Sequence, residues 1–503
     1  MLNRRKFLRN LGFTGSLLTM PAALVKAGMP GHDAATGEAG ATGATGEAGA
    51  TGAGVGERLL SGHVFDGNKG LKGVAVTDGY TIVRTDKDGK YDLVANPAAG
   101  LVYISVPSGY YIPEERSIAK FYRSLDRSLG NDFTLEKLPV DDRKHNFVVW
   151  ADTQMISKKD VELLMNQSVP DLKDLLRSYP KGTLWHGIGC GDLVWDQFDL
   201  IEDYKEAVYL CGVPFYNVIG NHDMDLDART DDKSDKTFRE HFGPTYYSFN
   251  RGEIHYVVLD DVFFIGADKK YIGYLTENQL AWLEKDLATV KHGSTVVVSL
   301  HIPSNTGQAR REKKEEELSG TVSNRKQLYK LLAPYKVHLL SGHTHFNDNW
   351  EEGDMMEHNH GTVCGAWWTG PICGDGTPSG YGVYEVDGAE LKWYYKSTGM
   401  DRNKQMRIRA VEGEIVANVW NWDHKWKVEW FEDGVSKGLM EQRVALDPWA
   451  VELYAGPELP KKHKFVEPFL TDHIFFAKAS AGAKKIMVRV TDRFGNIYED
   501  VLI

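Results

Sequence analysis

Cysteine is scarce in this chain: four among 503 residues, at Cys190, Cys211, Cys364 and Cys373. So few thiols exclude a disulfide framework, and no pair has the Cys-x-x-Cys spacing of a zinc site. Cys364 and Cys373 are candidates to pair across a loop, whereas Cys190 and Cys211 sit in apolar surroundings that suit buried thiols. Long hydrophobic runs are missing as well. The longest strongly apolar stretch, residues 11–25, is shorter than the ~20 residues of a spanning helix, so no transmembrane segment is expected. Positive charge is in deficit: the net charge is −11, and becomes −16 without the five basic residues among the first 27. That balance argues against specific nucleic-acid binding, while leaving room for a local metal-bearing cleft. Disorder as the general state is excluded by 13 Trp, 23 Tyr and 20 Phe. At roughly 100–200 residues per domain, the length predicts three or four domains.

Residues 1–27 read as an export signal. Arg4, Arg5 and Lys6 form a basic start, an uncharged run follows, and Val25-Lys26-Ala27 supplies a small-residue cleavage site near Ala27. The Arg4-Arg5-Lys6-Phe7-Leu8 run is similar to a twin-arginine signal, with Asn3 where Ser or Thr is usual. A periplasmic or secreted location is therefore expected. Residues 28–57 contain the nine-residue repeat GEAGATGAT/GEAGATGAG, whose Gly, Ala and Thr content predicts a flexible tether.

From 58 to 139 short alternating apolar runs at 73–79, 81–83 and 91–94 predict strands. Asp86-Lys87-Asp88-Gly89 reads as a hairpin-type turn, because the Asp pair lacks the distal Glu and the ligand spacing of a calcium loop. The stretch resembles a small transthyretin-like or carboxypeptidase-regulatory-like β-sandwich. From 140 to 395 apolar runs at 147–150, 184–188, 213–219, 254–259, 295–300 and 337–340 alternate with helical stretches such as 197–210, 277–290 and 324–332. This pattern predicts an α/β domain. Residues 396–503 return to β alternation and predict a second, Ig-like β-sandwich.

Polar residues follow five of the central runs directly. They are Asp152-Thr153-Gln154, Gly191-Asp192, Gly220-Asn221-His222-Asp223, His301 and Gly342-His343-Thr344-His345. In open α/β sheets the carboxyl ends of the strands face the ligand crevice, so five loops can aim side chains at one point. Carboxylate, amide and imidazole without thiolate suit a pair of divalent or trivalent ions such as Fe, Mn or Zn. An isolated buried His is ordinarily a satisfied core residue, and an isolated Asp or Asn after a strand is ordinarily a turn or cap. It is the ordered set that points to metal.

These motifs resemble the calcineurin-like metallophosphoesterases, whose motifs run D-x-H, G-D, G-N-H-D/E, H and G-H-x-H. The resemblance covers about half the chain. The segments 243–249 (GPTYYSF) and 365–370 (GAWWTG) look like a subfamily with β-rich extensions at both ends. It implies a central αββα sandwich. It also implies one metal on Asp152, Asp192 and His345 and another on Asp192, Asn221, His301 and His343. Asp192 bridges the two. His222 then acts on the leaving-group oxygen or the phosphate, with Asp223 orienting its ring. Two departures stand out. Gln154 replaces the usual His, as a weaker amide ligand or as a residue facing the substrate. The second motif, Gly191 to Asp196, is one residue longer than G-D-x-x-D, which leaves the place of Asp196 open.

The implied chemistry is two-metal activation of a bridging hydroxide for hydrolysis of a phosphate ester. The substrate would be a phosphorylated small molecule, nucleotide, lipid or peptide. The competing reading is an exported binding or scaffold protein with a degenerate core, which Gln154 favours and the retained His and Asp residues oppose. In the segment 365–381, Trp367 and Trp368 are expected to point to opposite sides of an extended chain, one of them walling the leaving group. Packing against the C-terminal β domain is the alternative for both.

Overall fold

Buried apolar strands at the middle of the chain assemble into two facing sheets. The computed structural model describes residues 58–125, 130–266, 269–460, 462 and 465–502; the proposed leader and tether lie outside them. One sheet has seven strands, in the order Glu390–Ser397, Gly380–Asp387, Lys144–Trp150, Trp185–Cys190, Phe215–Val218, Ile118–Ala119 and Glu114–Glu115. The other has six: Tyr247–Arg251, Ile254–Val258, Thr295–Ser299, Lys336–Ser341, Met355–Asn359 and Asp348–Glu352. Lys144–Trp150, Trp185–Cys190 and Phe215–Val218 run parallel, as do Ile254–Val258, Thr295–Ser299 and Lys336–Ser341. Each parallel set therefore ends together at one edge.

Side-chain alternation explains why these strands are apolar on both faces. Phe147, Val149, Ile188, Val297 and Leu340 pack between the sheets. Val148 and Trp150 turn outward, against Val161, Leu172 and Leu175 of the helices Lys158–Leu163 and Val169–Ser178 and against Tyr204 and Val208 of Ile201–Cys211. Val296, Val298, Val337 and Leu339 face Trp282 and Leu283 of Glu277–Leu287 and Leu328 and Leu332 of Arg325–Leu332. The result is helix, sheet, sheet, helix. The helical run at 158–178 contains Pro170, and the chain accommodates the missing N–H with a π turn at Leu164–Ser168.

The N-terminal region adds two small sheets, and Asp86 caps its turn by accepting the amide hydrogens of Asp88 and Lys90. Its core is continuous with the inter-sheet core, since Leu60, Val64 and Phe121 share one cluster with Phe147 and Tyr256. The hairpin Glu114–Glu115/Ile118–Ala119 leaves it altogether and pairs with Phe215–Val218 to extend the central sheet. Toward the C-terminus, two four-stranded sheets close over Ile408, Ala417, Trp426, Val428, Phe475 and Val488. The helix Pro448–Tyr454 starts at Asp447, whose carboxylate accepts from the Trp449 and Ala450 amides. No helix among the described residues is long and apolar enough to cross a membrane. All four cysteines are buried free thiols, so the candidate pair Cys364 and Cys373 is not bonded.

Phe121 touches the rings of Tyr103, Tyr122, Tyr216 and Tyr247 and so joins the N-terminal sheets to both central ones. Phe121→Ala is expected to lower stability by about 3–5 kcal/mol. Because the core is continuous, far-UV circular dichroism and tryptophan fluorescence are expected to report one coincident transition; two separated transitions would contradict a shared core.

Candidate metal centre

Sharp turns at the strand ends throw the polar residues into one crevice. Asp152, Gln154, Asp192, Asp196, His343 and His345 all have left-handed backbone, with φ between 38° and 68°. Six of the fourteen non-glycine residues with positive φ among those described thus fall in the motif loops. At about 1–3 kcal/mol each, such strain persists only where surrounding contacts over-determine it. Here the loops brace one another: the Asp152 amide donates to the Gly191 carbonyl and the Gln154 amide to the Asp192 carbonyl. Glycine permits the closest approaches. A Cβ on Gly220 would lie 2.3 Å from Asp192 Oδ1, and one on Gly191 2.2 Å from His301 Nδ1.

The two sheets meet at Asp192. Its Oδ1 accepts the His222 amide hydrogen at 2.9 Å and lies 3.3 Å from Nε2 of His301, which comes from the opposite sheet. Its Oδ2 accepts from Gln154 Nε2 at 2.6 Å. His301 Nε2 is also 3.2 Å from Asn221 Oδ1, and His345 Nε2 is 3.4 Å from Asp152 Oδ1. Asp192, His301 and His343 offer ligand atoms within 4.8 Å of one another.

Three imidazoles are held by backbone carbonyls, which can only accept. His301 Nδ1 is 3.0 Å from the Cys190 oxygen, His345 Nδ1 is 3.2 Å from the Gly365 oxygen, and His343 Nε2 is 3.0 Å from the Ser319 oxygen. Each of those nitrogens carries its proton, so the other nitrogen of each ring is the one directed at the centre. This is the outer support characteristic of metal-binding histidines. Asp261 accepts the His301 and Ile302 amides and fixes that loop.

Charge in the site calls for a cation. Burial opposes ionisation of Asp192, but the imidazoles of His301, His222 and His343 outweigh it and hold the carboxyl well below its ordinary value. Burial likewise opposes a charged His301, yet Asp192 and Asp152 push its pKa up to about 10. The chain alone balances its carboxylates with an imidazolium proton. Gln154 Oε1 is buried without a hydrogen-bond partner, an acceptor that a cation would satisfy. Donor set, ring orientation and orphaned oxygen all fit bound metal ions.

His222 departs from expectation in its support. Asp223 does not orient the ring; its carboxylate accepts the amide hydrogens of Gly220, Leu193 and Val194 and braces the loops instead. Burial and Asp192 push the Asp223 pKa up to about 7, against those amide bonds. Asp196 holds the ring, with Oδ1 2.9 Å from His222 Nδ1 and Oδ2 2.6 Å from Lys269 Nζ. Its left-handed backbone, φ 55°, absorbs the extra residue of the motif and turns the carboxylate back. Trp367 and Trp368 are not extended: both are left-handed, at φ 50° and 56°. Trp368 donates its indole N–H to the Thr153 carbonyl, and Trp367 stacks on His345 at 4.1 Å. Lys269 and Phe465 join the surroundings of the site without a motif to announce them, while Trp195 lies inside the motif at 191–196 and Asp261 just after the apolar run 254–259.

Three family models match the chain in succession. Residues 145–347 match the family described as Calcineurin-like phosphoesterase, residues 58–138 its N-terminal and residues 357–498 its C-terminal family. Purple acid phosphatase 15 of Arabidopsis thaliana is 36% identical over 104 residues, covering 18% of this chain and 18% of that protein. The chain thus spans about a fifth of the length of that relative. Among solved structures, a dimetal phosphatase from Danio rerio has a TM-score of 0.35 at 14% identity, covering 54% of this chain and 95% of the other. Purple acid phosphatase PPD1 from yellow lupin (Lupinus luteus) has a TM-score of 0.38 at 14% identity, covering 68% and 71%. Likeness at that level bears on neither substrate nor mechanism.

Gly220→Ala is expected to displace Asp192 and to lose most of the metal that the wild-type chain retains, read by elemental analysis with circular dichroism as the folding control. Asp192→Asn is expected to reduce binding of both ions, His345→Ala mainly of one. A folded Gly220→Ala variant with wild-type metal content would contradict the close approach.

Proposed function

The chain belongs to the calcineurin-like phosphoesterases, and from that premise we propose that it is a metal-dependent phosphoesterase. The observation that carries the reading is Asp192, a single ionised carboxylate reached by ligand-bearing loops of both sheets. Asp152, Asp192 and His345 would hold one ion, with Gln154 adjoining it; Asp192, Asn221, His301 and His343 would hold the other. Fe, Mn or Zn suits these donors. When bound, such a pair supplies Lewis acidity toward phosphate oxygens and a hydroxide at neutral pH.

The chain's own residues do the rest. Asp152 and Asp192 concentrate negative charge where cations are required. His222, with Nδ1 taken by Asp196, presents Nε2 to the substrate. Burial lowers its affinity for a proton, but Asp192, Asp196 and Asp223 outweigh that and hold its pKa above the ordinary imidazole value, which favours a proton available to a departing alkoxide. Lys269 neutralises the second oxygen of Asp196 and keeps that carboxylate on the ring. We also propose export from the cytoplasm, which the basic and apolar character of residues 1–27 supports; N-terminal sequencing of the mature protein tests it.

His222→Ala is expected to lower kcat about 10²–10⁴-fold on alkyl phosphates with metal content unchanged. On nitrophenyl esters, whose leaving group departs without a proton, the loss is expected to be much smaller. Equal losses on both classes would remove the acid role. A metal-loaded protein inactive toward every phosphate ester would instead support a binding or scaffold role.

A further inference from the structure

Three rings from distant parts of the chain meet beside His222. Trp195 follows the Asp192 turn, Trp367 belongs to the 365–381 segment, and Phe465 lies between the helix Pro448–Tyr454 and the strand Leu470–Ala477. Trp195 is 5.1 Å from the His222 ring, 5.8 Å from Phe465 and 6.3 Å from Trp367. Trp367 is 5.2 Å from Phe465 and stacks on His345. The rings thus form one apolar surface running from His222 to His345, across the candidate metal centre.

Their burial sets them apart from the core aromatics. Trp150, Trp282 and Trp420 are enclosed to within 2% of full burial, whereas Trp195, Trp367 and Phe465 are only half-buried. Trp367 and Phe465 also pack against the cluster of Ala450 and Tyr454, and a ligand that covers the surface left accessible on the three rings gains by excluding water from it. Position adds direction. His222 Nδ1 is held by Asp196, so Nε2 is the nitrogen left for a leaving oxygen on the phosphoesterase reading, and Trp195 is the ring beside it.

We propose that Trp195, Trp367 and Phe465 are an aromatic platform for the leaving group. The preferred substrates are then phosphate esters of alcohols carrying a planar ring, aryl or nucleoside. The proposal rests on the phosphoesterase reading and narrows it to a substrate class. Small polar esters would be held by the phosphate alone.

Calorimetric titration of the metal-loaded full chain with phenylphosphonate and methylphosphonate tests this without turnover. The wild-type protein is expected to bind the phenyl compound about three- to tenfold more tightly, the range of one aromatic contact. Trp195→Ala and Phe465→Ala are each expected to bring the two affinities within about twofold, and Trp195→Phe to keep most of the preference. A nucleoside 5′-phosphonate run alongside distinguishes the two sources of ring: the one that loses more affinity in Trp195→Ala is the ring the platform takes. Equal wild-type affinities, binding of neither phosphonate, or equal losses for both in folded variants would overturn the platform. Phosphate-ester hydrolysis with no phenyl preference rejects the platform alone, whereas a phenyl preference without hydrolysis rejects the phosphoesterase reading and with it the leaving-group role, leaving only a site that binds the ring.

Discussion

The rest of the site depends on one buried carboxylate being kept ionised between two sheets. Asp192 ends a strand of the seven-stranded sheet, and His301 ends a strand of the six-stranded sheet, yet their side chains lie 3.3 Å apart. A charge there is tolerable only if it is matched, because burial without compensation costs several kcal/mol. The match comes from the His222 amide hydrogen, the Gln154 side chain and the imidazoles of His301, His222 and His343, delivered by four loops. Holding those loops at one point is what the face-to-face sheet arrangement accomplishes, with the N-terminal core continuous beneath it.

Precision of that kind conflicts with easy backbone geometry. The left-handed turns at Asp152, Gln154, Asp192, His343 and His345 would relax if the loops were independent. They are not independent, because Asp152 accepts the His343 amide, Asp223 accepts amides from the Asp192 loop, and the Gly365 carbonyl holds His345. Strain therefore concentrates at the site while the strands behind it are regular and fully buried. The 365–381 segment belongs to this bracing as much as to substrate contact: Trp368 ties it to the Asp152 loop, while Trp367 leaves a face beside the centre.

Much of this was legible in the sequence, and the limits have physical causes. The Val-rich runs, the β-rich flanks and the polar residues after each run all mark local periodicity or strand ends, which a single chain displays directly. The π turn at Leu164–Ser168, just ahead of Pro170, is a local irregularity that no periodic pattern encodes. The hairpin at 114–119 was hidden because joining a distant sheet is a tertiary event. The exchange of roles between Asp223 and Asp196 turned on one inserted residue and a positive φ, visible only in three dimensions. Lys269 and Phe465 reach the site from remote or unpatterned positions, and nothing local distinguishes them.

The central claim is that the ligands of both sheets bind two ions that share Asp192. Anomalous diffraction from crystals of the metal-loaded protein, collected at the absorption edge of the bound element, tests it most directly. The account predicts two anomalous peaks per chain, roughly 3.5–4 Å apart, with Asp192 between them, one beside Asp152 and His345 and the other beside Asn221, His301 and His343. A single peak, or two peaks that do not share Asp192, would contradict it.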